Sequence, residues 1–533
     1  MSNKDIDINL TKQILSNINN GLYDNVKPVK VKSIPVINGN SIIDRAGLTH
    51  ISFNFNDVCD NLRKINPDLR EYMFGTVYGT LSECDGTKLL HLSKDDLKQI
   101  GVQLYPYVSY GILNGGSATS YADEKKNKAL NPELHKLYKS LFEKSSKATT
   151  GKPKGIVPAF INADGSNGPS FIELKLRALL IENYKYRITV NSENEIFSGD
   201  SASKKDSALF PLFQMTSVHT DTQISEAIEK YKNSPFLTDL LEKTGIDITK
   251  TISAIQPMIA AFTHSSVGKP KQIFTNAFGR DGEMLPLPGG HGQNFMVLKK
   301  VYQYLYNELD KKLIYITNVD NIGNMPDPVS IAITAMSNTE ASFEFSFRTP
   351  VDVKGGILVK DSNDKINCAD IGAAIPREEV DKHEKEGRHI LYNCATGLFK
   401  LDYLTENIET IIKELPMRIT DQNKDSGIYS QAEQVTWEVI GLLKNPLILG
   451  VEKYERYLAA KLLLESFMTS GLLIEHSEFP EHENPEHDFK TTAQKLYAGL
   501  KKNLNEIYGM KEENNKWQPL NIDDLKKEII KNY

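Results

Sequence analysis

Cysteine is scarce in this sequence. The 533 residues contain four cysteines, which are Cys59, Cys84, Cys368 and Cys394. No two of them stand at the C-x-x-C spacing that structural zinc sites use. So few cysteines in so long a chain also do not make a disulfide framework. We therefore expect neither a structural zinc site nor structural disulfides, and we expect a reducing compartment.

Long apolar runs and basic blocks are missing as well. No stretch approaches the roughly 20 apolar residues that a membrane-spanning helix needs, and the start, MSNKDIDINL, lacks the basic and apolar parts of a signal peptide. The net charge is −6 and no Lys/Arg block outweighs nearby acids, which argues against nucleic-acid binding. We expect a cytoplasmic protein with no membrane or nucleic-acid partner. The sequence leaves its oligomeric state open.

The chain is long enough for two or three domains, and its residue patterns change along its length. In residues 1–104 the apolar spacing is helical, and Ser93 can cap a helix that begins after it. In residues 105–405 strands alternate with helices, which predicts an α/β domain with a mixed or mostly parallel sheet. Residues 406–533 again show helical spacing. Residues 121–150, rich in Lys, Glu, Ser and Ala, look like an inserted segment that is either helical or mobile.

One glycine pair follows an apolar, β-prone run. Tyr107–Leu113 ends in Asn114, Gly115 and Gly116. Glycines after a strand let backbone N–H groups approach a polyphosphate with no Cβ in the way. The alternative is an ordinary Gly-Gly turn. No Gly-Lys-Ser/Thr closes the segment, so it is not a Walker A loop.

Two charged residues stand where a phosphate site would need them. Lys154 lies between proline and glycine in Gly151–Gly155 and could neutralise phosphate charge; the alternative is a solvated turn. Asp320 follows the apolar run Leu313–Thr317, and an acid at the carboxyl end of a central strand can hold Mg²⁺ beside phosphates. The alternative for Asp320 is an Asx turn.

Two further glycine-rich segments are candidates for ligand binding. Pro288–Gly292 places His291 among three glycines, which indicates close backbone approach to a flat or bulky group, or else a flexible loop. Asp352–Gly356 carries Lys354 and Gly355 between β-prone runs. Its alternative is a hairpin turn.

Taken together and in this order, these segments resemble the UDP-sugar pyrophosphorylase family, which includes UTP–glucose-1-phosphate uridylyltransferases and UDP-N-acetylglucosamine pyrophosphorylases. The resemblance spans about residues 95–465. The segments similar to family motifs are Leu113–Gly116 with Thr119-Ser120, Pro153-Lys154, Phe171–Leu174, Met215–Ser217 with Thr220-Asp221, Gln256-Pro257, Pro288–Gly292, Asn318–Gly323, Asp352–Gly356, Tyr392–Cys394, Val451–Lys453 and Lys461.

The resemblance implies a Rossmann-like nucleotidyltransferase domain flanked by helical N- and C-terminal regions. It also implies Mg²⁺-dependent transfer of UMP from UTP to a sugar 1-phosphate. The roles it implies are nucleotide binding by Gly115 and Gly116, phosphate neutralisation by Lys154 and Lys461, uridine contacts by Ser217 and Gln256, a uridine or sugar wall at His291 and Gly292, Mg²⁺ binding by Asp320, and sugar contacts by Lys354, Gly355 and Asn393.

Two alternatives remain open at this point. Ala118 stands where the family has glycine, the 121–150 insertion is long, and Ala395 and Thr396 replace asparagines of the family's sugar loop. These differences motivate the first alternative, a non-catalytic nucleotide-sugar-binding relative with a regulatory or binding role. The other alternative is a nucleotidyltransferase that uses a different nucleotide.

Overall fold

The structure is a computed structural model of the chain, and it describes residues 5–24, 29–190, 210–349, 352, 355–484 and 488–531. The strands are β1 Val31–Ser33, β2 Ile42–Asp44, β3 His50–Asn54, β4 Thr80–Cys84, β5 Thr87–Ser93, β6 Val108–Leu113, β7 Leu212–Ser217, β8 Ile252–Gln256, β9 Met258–Ala260, β10 Phe262–Thr263, β11 Pro286–Pro288, β12 Leu313–Asn318, β13 Ala341–Phe347, β14 Gly356–Asp361, β15 Ile366–Asp370, β16 Leu391–Lys400, β17 Met417–Lys424, β18 Gly427–Gln434, β19 Leu447–Val451, β20 Met510–Glu513 and β21 Lys516–Pro519. The helices are α1 Ile8–Asn19, α2 Phe55–Ile65, α3 Lys94–Gln103, α4 Glu124–Leu130, α5 Pro132–Leu137, α6 Lys139–Thr149, α7 Phe171–Val190, α8 Asp221–Tyr231, α9 Thr238–Thr244, α10 Asn294–Val297, α11 Lys299–Asn307, α12 Pro328–Met336, α13 Arg377–Lys385, α14 Leu401–Glu414, α15 Lys453–Arg456, α16 Leu463–Thr469, α17 Phe489–Glu506 and α18 Ile522–Lys531. No helix among the described residues combines the length and the apolar character that crossing a membrane requires.

One large sheet runs through the centre of the protein. Along its main path the strand order is β2-β19-β13-β16-β12-β6-β7-β8. Neighbours on this path are parallel, except that β16 runs antiparallel to both β13 and β12. The strands β1, β14 and β15 extend the sheet beside β16 through antiparallel pairs. The predicted α/β fold with a mixed, mostly parallel sheet is therefore confirmed.

Helices cover both faces of this sheet because its central strands are apolar on both sides. In β12, Leu313 and Tyr315 belong to one core, which also holds buried residues of α7 and α12. Ile314 and Ile316 belong to a second core, which they share with α11 and α14. Alternate residues of a strand face opposite sides, and parallel sheets are covered on both faces. The strand ends, rather than the strand faces, are thus available to a ligand.

The N-terminal region is less helical than its apolar spacing predicts. It contains α1, α2 and α3, and Ser93 caps α3 as expected. However, β3, β5 and β4 form an antiparallel sheet within residues 50–93. In β5, Leu90 and Leu92 are buried while His91 between them is only half-buried. This alternation is the pattern of a strand, and it extends over too few residues to stand out in the sequence.

The C-terminal region also mixes helices with strands. The pairs β17–β18 and β20–β21 are antiparallel hairpins, while α16 and α17 lie where helical spacing predicts helices. The strand β19 lies inside the central sheet, between β13 and β2. The sheet therefore takes β2 and β19 from outside residues 105–405, so the predicted division of the chain does not follow the sheet.

Residues 121–150 fold as the short helices α4, α5 and α6. The side chains of Asp123 and Asn131 cap α4 and α5 by accepting backbone N–H groups. Tyr138, between α5 and α6, packs edge-on against Phe467 of α16, with ring centroids 5.3 Å apart. Of the two alternatives for this insertion, the structure supports the helical one.

Candidate active site

Four parallel strands of the central sheet end at the same edge. β6 and β12 finish level with each other at Leu113 and Asn318. β7 and β8 finish level at Ser217 and Gln256, and β7 lies next to β6. Ligands of open α/β sheets bind outside the carboxyl ends of the strands. The predicted residues that end or follow these strands therefore share one edge; they are Gly115, Gly116, Ser217, Gln256 and Asp320.

The Gly-Gly turn lies directly against the segment that carries Lys154. The Lys154 backbone N–H donates to the Gly116 carbonyl at 2.9 Å, and the Ala118 N–H donates to the Lys152 carbonyl at 2.8 Å. A Cβ added to Gly116 would meet no atom within 4 Å, so a polyphosphate could approach the backbone here. Ala118 is fully buried, and its methyl group packs into the protein core.

The Lys154 ammonium is buried between an aromatic ring and a backbone carbonyl. Its Nζ lies 3.1 Å from the centroid of the Tyr121 ring and donates to the Ala460 carbonyl at 2.9 Å. Burial lowers the pKa of Lys154 to about 8, while the Asp320 and Glu465 carboxylates act in the opposite direction. The Asp320 carboxylate therefore favours the protonated form of Lys154.

Asp320 and its neighbour Asn321 have different surroundings. The Asn321 side-chain oxygen accepts from the backbone N–H groups of Gly323 at 3.1 Å and Leu458 at 3.0 Å. The Asx turn is thus made by Asn321. Asp320 is half-buried, and its carboxylate forms no hydrogen bond or ion pair with the residues that the structure describes. It remains available to a ligand.

The donor set at this edge fits a hard divalent cation only in part. Within the described ranges there is no cluster of three His, Cys, Asp or Glu side chains that could bind a metal by themselves. Asp320 supplies one carboxylate. Mg²⁺ is commonly held by one or two carboxylates together with substrate phosphates, so a single carboxylate beside a polyphosphate site is a suitable contribution.

A cavity of about 200 Å³ opens beside the end of β12. Its wall includes Asn318 and four predicted residues from distant segments, His291, Gly355, Asn393 and Lys461. Lys461 directly follows Ala460, the residue whose carbonyl accepts the hydrogen bond from Lys154. The cavity and the Gly-Gly turn are therefore neighbouring parts of one site.

His291 is held as a neutral donor in the cavity wall. Its Nδ1 accepts the Thr436 backbone N–H at 3.2 Å and lies 2.8 Å from the Thr436 hydroxyl. The hydrogen-bond network therefore assigns the ring proton to Nε2. Burial lowers the pKa of His291 to about 4, with smaller contributions from the positive charges of Lys461 and Arg418.

Gln256 connects the Gly-Gly turn to the loop that carries His291. Its Nε2 donates to the Gly290 carbonyl at 2.7 Å. On the other side, a Cβ added to Gly115 would lie 3.4 Å from Gln256 Oε1. The Gln256 side chain is thus bonded to the loop that carries His291 and lies beside the Gly-Gly turn.

Ser217 and Gly292 lie outside the cavity wall. The Ser217 hydroxyl is 3.0 Å from the Thr220 hydroxyl, in the turn that starts α8. A Cβ added to Gly292 would lie 2.7 Å from the Gln434 Cβ, so glycine allows close packing against β18. Their ligand contacts stay predictions.

The sugar-loop residues are only partly described. Lys354 lies outside the described residues, so its sugar contact stays a prediction. Gly355 has φ +119°, which favours glycine, and an added Cβ would overlap the Tyr392 hydroxyl. Asn393 lines the cavity, and its Oδ1 accepts the Ala395 backbone N–H at 2.8 Å.

The sequence profile of one protein family, described as UTP–glucose-1-phosphate uridylyltransferase, matches residues 194–510. This range is more than half of the chain, and it contains Asp320 and the whole cavity wall. The chain belongs to this family. The resemblance to UDP-sugar pyrophosphorylases is thereby confirmed. The Gly-Gly turn and Lys154 precede the matched range, and the hydrogen bond from Lys154 to the Ala460 carbonyl joins them to it.

Two curated relatives and one solved structure give the extent of the similarity. A probable UTP–glucose-1-phosphate uridylyltransferase of Schizosaccharomyces pombe is 24% identical over 301 residues, 55% of this chain and 51% of that protein. UTP–glucose-1-phosphate uridylyltransferase 2 of Dictyostelium discoideum is 28% identical over 266 residues, 49% of each chain. This chain thus spans about half the length of these curated relatives. The uridine diphosphate N-acetylglucosamine pyrophosphorylase of Trypanosoma brucei, solved with an inhibitor, has 15% identity and a TM-score of 0.52, covering 78% of this chain and 79% of that one; this likeness concerns the fold alone.

In this uridylyltransferase-family chain the cavity has a charged wall that no sequence motif indicates. Arg418 donates from Nη1 to Asp370 Oδ2 at 2.9 Å and from Nε to Glu438 Oε1 at 2.8 Å. Glu438 Oε2 is buried and has no hydrogen-bond partner among the described residues. Leaving a buried acceptor unpaired is costly, so a ligand hydroxyl or N–H that reached it would gain a favourable hydrogen bond. The three residues come from separate segments, and neither their type nor their spacing indicates this pairing.

The low pKa of His291 predicts a loss of stability in acid. The unfolded imidazole has a pKa of about 6.5, so between about pH 6.5 and 4 the unfolded state binds more protons than the folded state. This contribution to stability is complete above about pH 6.5 and is lost as the pH falls towards 4. In urea unfolding at pH 7.5 and 5.0, the wild type should lose about 2 kcal/mol more than His291→Asn, whose side-chain oxygen can still accept the Thr436 N–H. Equal losses of stability in both proteins would contradict the lowered pKa of His291.

Proposed function

We propose that this protein transfers UMP from UTP to a sugar 1-phosphate, forming a UDP-sugar and releasing pyrophosphate. The observation that carries the proposal is that the Gly-Gly turn, Lys154 and Asp320 lie together at one sheet edge in a chain of the uridylyltransferase family. Backbone N–H groups, an ammonium and a carboxylate are what polyphosphate positioning requires. The cavity next to them provides room for the second substrate.

In the proposed reaction an oxygen of the sugar phosphate attacks the α-phosphorus of UTP in line, and pyrophosphate leaves. Gly115 and Gly116 bind phosphate oxygens through backbone N–H groups. Lys154 offsets the negative charge that builds up on the leaving pyrophosphate. Asp320 would hold Mg²⁺, which when bound neutralises further phosphate charge. The protein itself supplies positioning and charge rather than covalent chemistry.

The cavity beside Asn318 is the proposed sugar site. The Nε2–H of His291, the Asn393 amide and the Lys461 ammonium are donors there, and the carboxylates of its charged wall are acceptors. Sugar hydroxyls both donate and accept, so they match this mixed wall. The curated relatives are named for glucose 1-phosphate and the solved structure for N-acetylglucosamine, which makes both sugars candidates.

The test is turnover by the purified protein. It is incubated with UTP, Mg²⁺ and a panel of sugar 1-phosphates, including glucose and N-acetylglucosamine 1-phosphates, and pyrophosphate is measured. Release that depends on one sugar supports the transfer. Binding of a UDP-sugar without release on any sugar would instead support the non-catalytic alternative, which family membership does not favour. Release with another nucleoside triphosphate, but not with UTP, would support a nucleotidyltransferase that uses a different nucleotide.

Glu438→Gln is expected to weaken sugar binding specifically. The amide keeps the size of the side chain but replaces one of its two acceptor oxygens with a donor. We expect the KM for the sugar 1-phosphate to rise about tenfold, with the KM for UTP within about twofold of the wild type. The control is Glu433→Gln, at a half-buried position on β18, the strand that precedes Glu438 in the chain, and outside the cavity wall. An unchanged sugar KM in Glu438→Gln would exclude Glu438 from the sugar site.

A further inference from the structure

Lys175, on α7, is a fully buried lysine to which the proposed mechanism assigns no role. Its Nζ donates to the Tyr110 hydroxyl at 3.1 Å and to the backbone carbonyls of Asn321 at 2.8 Å and Asn324 at 3.1 Å. An ammonium has three N–H donors, so each donor has an acceptor. All three partners are uncharged.

The two carbonyls belong to the loop that carries Asp320. Asn321 directly follows Asp320 and Asn324 lies three residues further on, and the carbonyl of Ile322 between them accepts the Tyr508 hydroxyl at 2.6 Å. The Tyr110 hydroxyl also donates to the Asn324 carbonyl at 2.6 Å, so buried donors from three other parts of the chain hold the backbone after β12. A loop fixed at these carbonyls has little freedom to move the side chain at its start.

Stability alone does not account for an ammonium at this position. Burial lowers the pKa of Lys175 to about 7, and the Asp320 carboxylate acts in the opposite direction. A buried charge is costly, and well-packed apolar side chains of similar volume often stabilise a protein equally well or better. What an apolar residue could not supply is three hydrogen bonds in fixed directions.

We propose that Lys175 is a positioning residue for the transfer: it fixes the loop after β12 so that the Asp320 carboxylate faces the polyphosphate. This inference rests on the proposed function. Lys175 acts through the carbonyls of Asn321 and Asn324. A displacement of about 1 Å in a reacting group can cost about 10²-fold in rate. Releasing the loop from Lys175 is therefore expected to lower the rate of transfer.

Lys311 offers a matched control. It is also fully buried, and its Nζ donates to the Pro106 carbonyl at 2.6 Å. It lies just before β12, at the opposite edge of the sheet from Asp320. Lys175→Met and Lys311→Met therefore remove the same group from the interior near the two ends of one strand.

Two measurements separate positioning from stability. In steady-state kinetics we expect Lys175→Met to lower kcat by about tenfold or more with the KM for UTP within about twofold, and Lys311→Met to leave kcat within about twofold. In the protein without metal or nucleotide, hydrogen–deuterium exchange of the amides of residues 319–324 should be about tenfold faster in Lys175→Met and unchanged in Lys311→Met.

Equal effects of the two substitutions, or wild-type kcat and exchange in Lys175→Met, would overturn the inference. If Lys175→Met does not fold, Tyr508→Phe removes only the hydroxyl that holds Ile322, and a kcat and loop exchange unchanged in that variant would overturn it as well. A wild type without turnover on any sugar would mean that the proposed function has failed and the inference with it. An active wild type with an unaffected Lys175→Met rejects the inference alone.

Discussion

Asp320→Asn is expected to lower the rate of pyrophosphate release by about 10³-fold and to leave the fold intact. The substitution keeps the size of a half-buried side chain and removes its charge. No described residue forms a hydrogen bond or ion pair with this carboxylate, so the folded protein loses none of these contacts. An amide is a poorer ligand than a carboxylate for a hard divalent cation. The measurement is steady-state pyrophosphate release at saturating substrates, with circular dichroism as the check on folding.

Asp310→Asn is the control for that experiment. Asp310 lies just before β12, at the opposite edge of the sheet, where it forms an ion pair with Lys312 at 2.8 Å. Its φ of +52° is one that asparagine adopts readily. This variant should retain activity within about twofold, because a surface ion pair contributes little. Wild-type release by Asp320→Asn would remove Asp320 from the mechanism.

Lys154→Met is expected to lower kcat/KM by about 10²-fold. Methionine can fill the space against the Tyr121 ring, but it cannot offset phosphate charge. The pKa of Lys154 is lowered to about 8 by burial, so the ammonium of the free protein loses its proton as the pH rises through 8. Wild-type kcat/KM should therefore fall above about pH 8, and the variant should lack this decline.

The control for this second experiment is Lys152→Met. Lys152 is exposed and lies two residues before Lys154 in the same turn, so its replacement tests whether any positive charge nearby suffices. We expect kcat/KM within about twofold of the wild type. A similar loss in both variants, or a pH profile of Lys154→Met that still declines above pH 8, would show that the buried ammonium is not the group that titrates.

The sequence predicts best those elements whose apolar pattern is complete within one segment. β12 is apolar along nearly its whole length, and it ends one residue beyond the apolar run Leu313–Thr317. The sheet formed by β3, β5 and β4 is missed because β4 is exposed along its length and only β5 carries buried alternation. The membership of β2 and β19 in the central sheet depends on pairing across the whole chain, which no local pattern can indicate.

The predicted site residues fall into two groups. Those that follow a strand, such as Gly115 and Asp320, can be placed by the rule that ligands bind at carboxyl strand ends. The family resemblance suggests the cavity residues His291, Asn393 and Lys461. The structure adds that they lie in the wall of one cavity. Neither the strand-end rule nor the family resemblance indicates Arg418. It lies on the half-exposed strand β17, where charged residues are common.

The edge strand β2 pairs with β19, which is synthesised about 400 residues later. While the chain emerges from the ribosome, one side of β13 therefore has no partner until the segment around Leu447–Val451 has been made. Bare strand edges invite pairing with other chains, and large proteins expose them transiently as they fold. A nascent chain that stalls before Leu447 would keep that edge open, whereas one released after Val451 can close it. Completion of this strand is thus the point in biosynthesis at which the aggregation risk at this edge falls.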